Sequence, residues 1–174
     1  MLAVWRGLEA NSPTACEACR HAQIKNQMSD KKPKNIFVEG AISASFIAEQ
    51  IQKHSTKTNI GAHEIFLGQV RTDLIGDKKV AAIEYTTYTE MAIEKMYEIR
   101  EAIFDKYELT CMHVYHSLGV VKAGEISLFV LTSSAHRRAA IDACNEVVER
   151  IKNELPVWGK EIFEDETYQW KVNS

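Results

Sequence analysis

From about residue 36 onward, apolar and polar residues alternate in regular patterns, and in three stretches the apolar positions recur at the spacing of one helix face. In "ISASFIAEQIQKH" the stripe is Phe46, Ile47 and Ile51, behind Ser43, a side chain suited to an N-cap. "TEMAIEKMYEIREAIFDKY" sets Ala92, Met96, Ile99 and Ile103 on one face, with Thr89 as the expected cap. The best-defined stripe is Ala140, Ala143, Cys144, Val147, Val148 and Ile151, in "TSSAHRRAAIDACNEVVERIK" (residues 132–152). Ser133 or Ser134 is the expected cap of that helix, and Pro156 its stop.

Between the helical stretches the period shortens to that of strands. "GAHEIFLGQVR" and "KVAAIEYTTY" read as strands separated by "TDLIGD", whose Gly76-Asp77 turn predicts that the two form an antiparallel pair. "LTCMHVYHSLGVV" alternates, Gly124 makes a turn, and "EISLFVLTS" is a continuous apolar run suited to a strand buried on both faces. The tail "VWGKEIFEDETYQWKVNS" divides into short strand-like pieces around the acidic turn Glu164-Asp165-Glu166. The order predicts a mixed α+β domain with a largely antiparallel sheet.

With 174 residues, 45% hydrophobic and 26% charged, the chain suits a single folded domain. A net charge of −3 provides no overall basic field for nucleic acid, so anion binding must come from a local cluster. No run approaches a membrane span, and four cysteines in this length make no disulfide framework. Cys111 and Cys144 fall in apolar stretches, where a free thiol packs as a small hydrophobe. We therefore expect a soluble protein of a reducing, cytoplasmic compartment. Residues 1–35 read as a flexible N-terminal extension and 36–174 as the domain, with Met28 an equally good start for the folded protein. Within the extension, Cys16-x-x-Cys19 and His21 lack the second Cys/His pair that closes a zinc site, so no metal and no cofactor are expected.

Charge at the start of the last helical stretch is the main chemical signal. His136, Arg137 and Arg138 stand in its first turn, where the positive end of the macrodipole disfavours cations. An anion held by free backbone N–H groups, an imidazole and a guanidinium would explain them. The plainer alternative is a core or interface histidine, since His136 lies one turn before Ala140, with at least one of the diverging arginines merely solvated. Lys152 and Lys160 read as surface lysines by composition. Lys152 nevertheless sits four residues after Val148, at the edge of the buried stripe, where desolvation would make an amine nucleophilic. GxGxxG, GxxxxGK[ST], HExxH and GxSxG are all absent.

"FLGQVR" (66–71), "SSAHRRAAIDAC" (133–144), "IK" (151–152) and "PVWGKE" (156–161), in this order, resemble the large, catalytic subunit of molybdopterin synthase. The likeness spans roughly residues 36–172. It implies an α/β hammerhead-like fold with an additional small antiparallel subdomain. It also implies a homodimer that carries a small ubiquitin-like sulfur-carrier subunit at each end, giving a heterotetramer. The implied reaction moves sulfur from the carrier's C-terminal Gly-Gly thiocarboxylate to cyclic pyranopterin monophosphate, forming the molybdopterin dithiolene.

By matching positions, the resemblance implies substrate-binding roles for Gln69, Arg71, His136, Arg137 and Glu161, and catalytic roles for Lys152 and Lys160. Lys152 is implied as base, electrostatic partner or transient acyl acceptor. One departure stands out: the family carries a basic residue where this chain has Gly159. Either Gly159 frees the backbone so that Lys160 reaches the pocket, or the chain is a less active or non-catalytic homologue that still docks the carrier. An unrelated α+β ligand-binding dimer is the third alternative. Because Arg137 and Lys152 are 15 positions apart on one helix, about 22 Å along its axis, a small pterin touching both requires two protomers.

Overall fold

The computed structural model describes residues 34–171, and the Cys16–Cys19–His21 group lies outside them. Eight strands and three helices alternate along this segment. They are β1 (Phe37–Glu39), α1 (Ala44–Gln52), β2 (Ala62–Gln69), β3 (Leu74–Ile75), β4 (Lys78–Thr87), α2 (Thr89–Lys106), β5 (Cys111–Lys122), β6 (Ile126–Ser134), α3 (Arg137–Glu154), β7 (Val157–Phe163) and β8 (Tyr168–Trp170). The spatial order is β2-β6-β5-β4-β7-β8, with β1 parallel to β5 and β3 antiparallel to β4. The α+β class is as expected, and so is the small antiparallel subdomain, formed by β3, β4, β7 and β8.

The helices cover the sheet because their apolar stripes do. Ala92, Met96, Ile99 and Ile103 of α2, with Ala143, Val147 and Ile151 of α3, meet Met112, Val114, Leu128 and Val130 in one cluster. Each fully buried isoleucine there contributes ~1.5–3 kcal/mol. The opposite face carries Tyr115, Phe129 and Leu131, packed under Ile42 and Ile47 of the α1 segment. That sandwiching buries nearly all of β6, as its unbroken apolar run requires.

Two expectations fail. β2 and β4 do not pair: β2 lies against β6, whereas β4 lies between β5 and β7. The Gly76-Asp77 turn instead joins β4 to the two-residue β3. Alternation identifies a strand but not its neighbour, and the β5–β6 hairpin takes the position predicted for β4. The caps also differ. Ser43 caps α1 as expected, accepting from the Phe46 N–H at 3.2 Å, but Tyr88 stands at the N-cap of α2 and His136 at that of α3, neither with a side-chain cap bond.

Besides its parallel pairing with β1, β5 serves two antiparallel pairings. Its residues Cys111–His116 bond β6, and its residues Gly119–Lys122 bond β4. The change occurs at Gly119, whose φ of 72° lies in the left-handed region. A Cβ at this position would also meet Glu39 Oε1. Among the described residues, no helix is long and apolar enough to cross a membrane.

Gly119→Ala should therefore destabilise the fold by about 1–2 kcal/mol, read in thermal unfolding as a fall of roughly 2–8 °C in Tm. A variant as stable as the parent would show that the break in β5 does not depend on this backbone conformation.

Candidate active site

The register of the sheet decides where the expected residues lie. Ala62 pairs with Ser134 at one end of the β2–β6 ladder, and Gln69 with Ile126 at the other. His136 and Arg137 follow Ser134, so they sit at the first end. Arg71 follows Val70, whose N–H donates to the Glu125 carbonyl at 3.0 Å, so Arg71 sits at the second. α3 runs back from the first end towards the second. Its start is tied to β6 by the Thr132 hydroxyl, which donates to the Ala140 carbonyl at 2.8 Å, and its last turn holds Lys152.

At the first end His136 and both arginines are exposed, so His136 does not continue the buried stripe as predicted. Ser134 Oγ accepts from the His136 N–H at 3.4 Å, the closest that either expected cap comes to that role. The two arginines are not equivalent. Arg138 Nε donates to Asp142 one turn along at 2.8 Å, whereas Arg137 has no partner among the described residues. With no acidic residue in the first turn, the helix dipole, Arg137 and His136 all favour an external anion.

At the second end the strand period separates the expected catalytic lysines. Val157, Gly159 and Glu161 of β7 share one face, and Trp158 and Lys160 the other. Val157 packs with Ile151 and Leu155 on the helix side, which puts the Lys152 end of α3 on the Gly159 face. Lys152 is exposed and has no partner among the described residues, so this chain alone does not supply the predicted desolvation. Lys160 points the other way: it forms an ion pair with Glu84 and lies 5.0 Å over the Tyr168 ring. Beside it an open cavity of about 430 Å³ is lined by Thr86, Thr87, Tyr88, Trp158 and Trp170.

Gly159 does not act through backbone freedom. It is a regular ladder position opposite Tyr85, and its carbonyl accepts from the Lys171 N–H at 2.8 Å. A Cβ there would lie 3.1 Å from Ile83 Cγ2 and 3.6 and 3.7 Å from Lys171 Cβ and Cδ. The Lys171 side chain thus crosses the place where a residue-159 side chain would emerge, and its Nζ reaches Glu161 Oε1 at 3.4 Å. Glu161 is buried and also accepts from Gln169 Nε2 at 2.8 Å. Close by, burial holds the Tyr85 phenol above its usual range; its hydrogen bond to Ser127 Oγ at 3.3 Å opposes that shift, and Glu161 adds to it. Lys171 was missed in the sequence because nothing marks a lysine on β8's end as the neighbour of a glycine on β7. Gln69 is exposed, and Arg71 is exposed and paired with Asp73 at 3.0 Å.

The α+β domain thus carries exposed cations at both ends of one helix, His136 and Arg137 at its start and Lys152 in its last turn, each open to an anion. Residues 41–154 match the family model described as MoaE protein. The chain is 34% identical over 135 residues to the molybdopterin synthase catalytic subunit of Pyrococcus abyssi, covering 78% of this chain and 84% of that one. With the Bacillus subtilis protein of the same name it shares 37% identity over 117 residues, covering 67% and 74%. The crystal structure of molybdopterin synthase from Staphylococcus aureus superposes with a TM-score of 0.70 at 31% identity, covering 80% of this chain and 98% of that chain. This chain belongs to the MoaE family of molybdopterin synthase catalytic subunits.

Because Arg137 is free and Arg138 is engaged, Arg137→Ala should weaken inorganic phosphate binding about tenfold and Arg138→Ala less than twofold, measured by calorimetry. Equal losses would mean that the ion pair with Asp142 does not distinguish them.

Proposed function

We propose that this chain transfers sulfur from the C-terminal thiocarboxylate of a small carrier protein to cyclic pyranopterin monophosphate, forming the molybdopterin dithiolene. The family assignment supports the reaction. A Helicobacter pylori relative, 19% identical at a TM-score of 0.67, is described as a complex of subunits 1 and 2 of molybdopterin-converting factor, which supports a small-subunit partner. The buried free thiols Cys111 and Cys144 fit the reducing conditions of a cytoplasmic location.

The single observation that carries the mechanism is the division of the cations between two ends of one chain. His136 and Arg137 bind the substrate phosphate. Lys152 acts as the electrostatic partner of the incoming thiocarboxylate, with Arg71 and Gln69 at the same end. Because the helix separates these groups by about 22 Å, one substrate engages His136 and Arg137 of one protomer and Lys152 of another. The active unit is thus a homodimer, and with two carriers a heterotetramer. The second protomer also supplies the water exclusion that Lys152 lacks in a single chain.

On the Gly159 face, Lys171 supplies the cation that the family carries at position 159, held by Glu161. Lys160, on the opposite face with Trp158 and the aromatic cavity, serves carrier docking. A carrier-docking homologue without chemistry is the second reading, and Gly159 is the observation that favours it.

Co-expression of Arg137→Ala and Lys152→Ala chains tests the mechanism. Each variant alone should be inactive in molybdopterin formation from thiocarboxylated carrier. Random pairing puts one intact site in half of the dimers, so the mixture should recover about a quarter of parental activity. No recovery would place both residues in a single-chain site, and an inactive parent that still binds carrier would make the chain a docking homologue.

A further inference from the structure

On the face of the sheet away from α2 and α3, three side chains that the mechanism does not use converge. His54, just beyond α1, is 5% exposed, and Cys111 at the start of β5 is 8% exposed. His113 follows Cys111 by two residues and so shares its face. One ligand atom from each, a ring nitrogen of His54 and of His113 and Cys111 Sγ, all lie within 4.8 Å of one another. His54 Nε2 and His113 Nε2 are 3.0 Å apart.

The hydrogen bonds define which atoms are free. His54 Nδ1 lies 2.7 Å from the Gln50 carbonyl, which can only accept, so Nδ1 carries the proton and Nε2 presents a lone pair. This is the arrangement in which a backbone carbonyl orients a metal-ligating imidazole. Gln50 is itself buried and held through its Oε1 by the Tyr115 hydroxyl at 3.0 Å. In the ion-free chain, His113 Nε2–H must donate to His54 Nε2. Moving that proton to His113 Nδ1 turns both Nε2 atoms into ligands. A tetrahedral zinc site with ~2.0–2.1 Å Zn–N and ~2.3 Å Zn–S bonds needs its ligand atoms ~3.3–3.6 Å apart, within side-chain adjustment of these separations.

We propose that His54, Cys111 and His113 form a zinc site, with solvent as the fourth ligand on the partly exposed His113 side. Cys111 binds as the thiolate and releases its proton to solvent, so no oxidant or reductant is required. The ion ties the segment after α1 to the first residues of β5. There Cys111 pairs with Ser133, three residues before His136, and Ser133 Oγ in turn lies 2.7 Å from His63 Nδ1. The site is independent of the sulfur-transfer reading, because none of its residues belongs to the cationic ends.

The test uses the full chain with Cys16→Ser and Cys19→Ser, which silences the other cysteine pair. Cobalt(II) should bind at one equivalent with the visible bands of a tetrahedral ion and a sulfur charge-transfer band, and zinc should displace it. Cys111→Ser should abolish the sulfur band, and His113→Ala should weaken zinc binding at least tenfold. X-ray absorption of the zinc-loaded chain, which needs no substitution at the site, should show one sulfur with nitrogen or oxygen ligands. Absence of a tetrahedral cobalt spectrum at one equivalent, a spectrum that survives both substitutions, or a zinc shell without sulfur would overturn the proposal.

Discussion

The left-handed backbone at Gly119 is the constraint on which the arrangement rests. It lets β5 pair with β6 along its first half and with β4 along its second, so the helix-covered sheet and the small subdomain share one strand. Val70, Val80, Ile83, Val121 and Phe163 then close a separate cluster across the junction. The subdomain brings Glu161 and Lys171 to the side where α3 ends with Lys152, and Arg71 follows Val70 out of the same cluster.

From this follows a division of labour imposed by the rigidity of a helix. α3 is pinned along its length by Ala140, Cys144, Val147 and Ile151, and burial pushes the Cys144 thiol up to about 11, so it is inert packing rather than chemistry. A helix fixed in this way cannot bend His136 and Lys152 towards one another. The chain therefore holds two groups of cations that one molecule cannot bring together, and the proposed mechanism relies on a twofold pair for their juxtaposition. Lys171, just after β8, lies across Gly159 with its Nζ 3.4 Å from Glu161 Oε1, so a neighbouring strand brings a cation to the place where a residue-159 side chain would emerge.

Helices α2 and α3 were legible because their apolar stripes are long and match the faces that are buried; in α1 only Ile47 of the expected stripe is buried, while Ile51 is exposed and Gln50 is buried. The β5–β6 hairpin was legible for a similar reason, its turn being local. The β2–β4 pairing was misread because strand partners are chosen by long-range burial, and the apolar β6 outcompetes β4 for the edge of β2. That Gly159 and Lys160 face opposite ways follows from strand alternation alone, yet the placement of Lys171 beside Gly159 needed the β7–β8 register. His54, Cys111 and His113 gave no motif spacing, because their proximity exists only once α1 is laid over β5. The family likeness located the cationic residues, and the 15-residue helical spacing of Arg137 and Lys152 already called for two protomers.

The most direct test of a shared site is a crystal structure of the chain with cyclic pyranopterin monophosphate bound. This account predicts the phosphate against His136 and Arg137 of one protomer and the pterin facing Lys152 of the other. A substrate in contact with residues of only one protomer would contradict it.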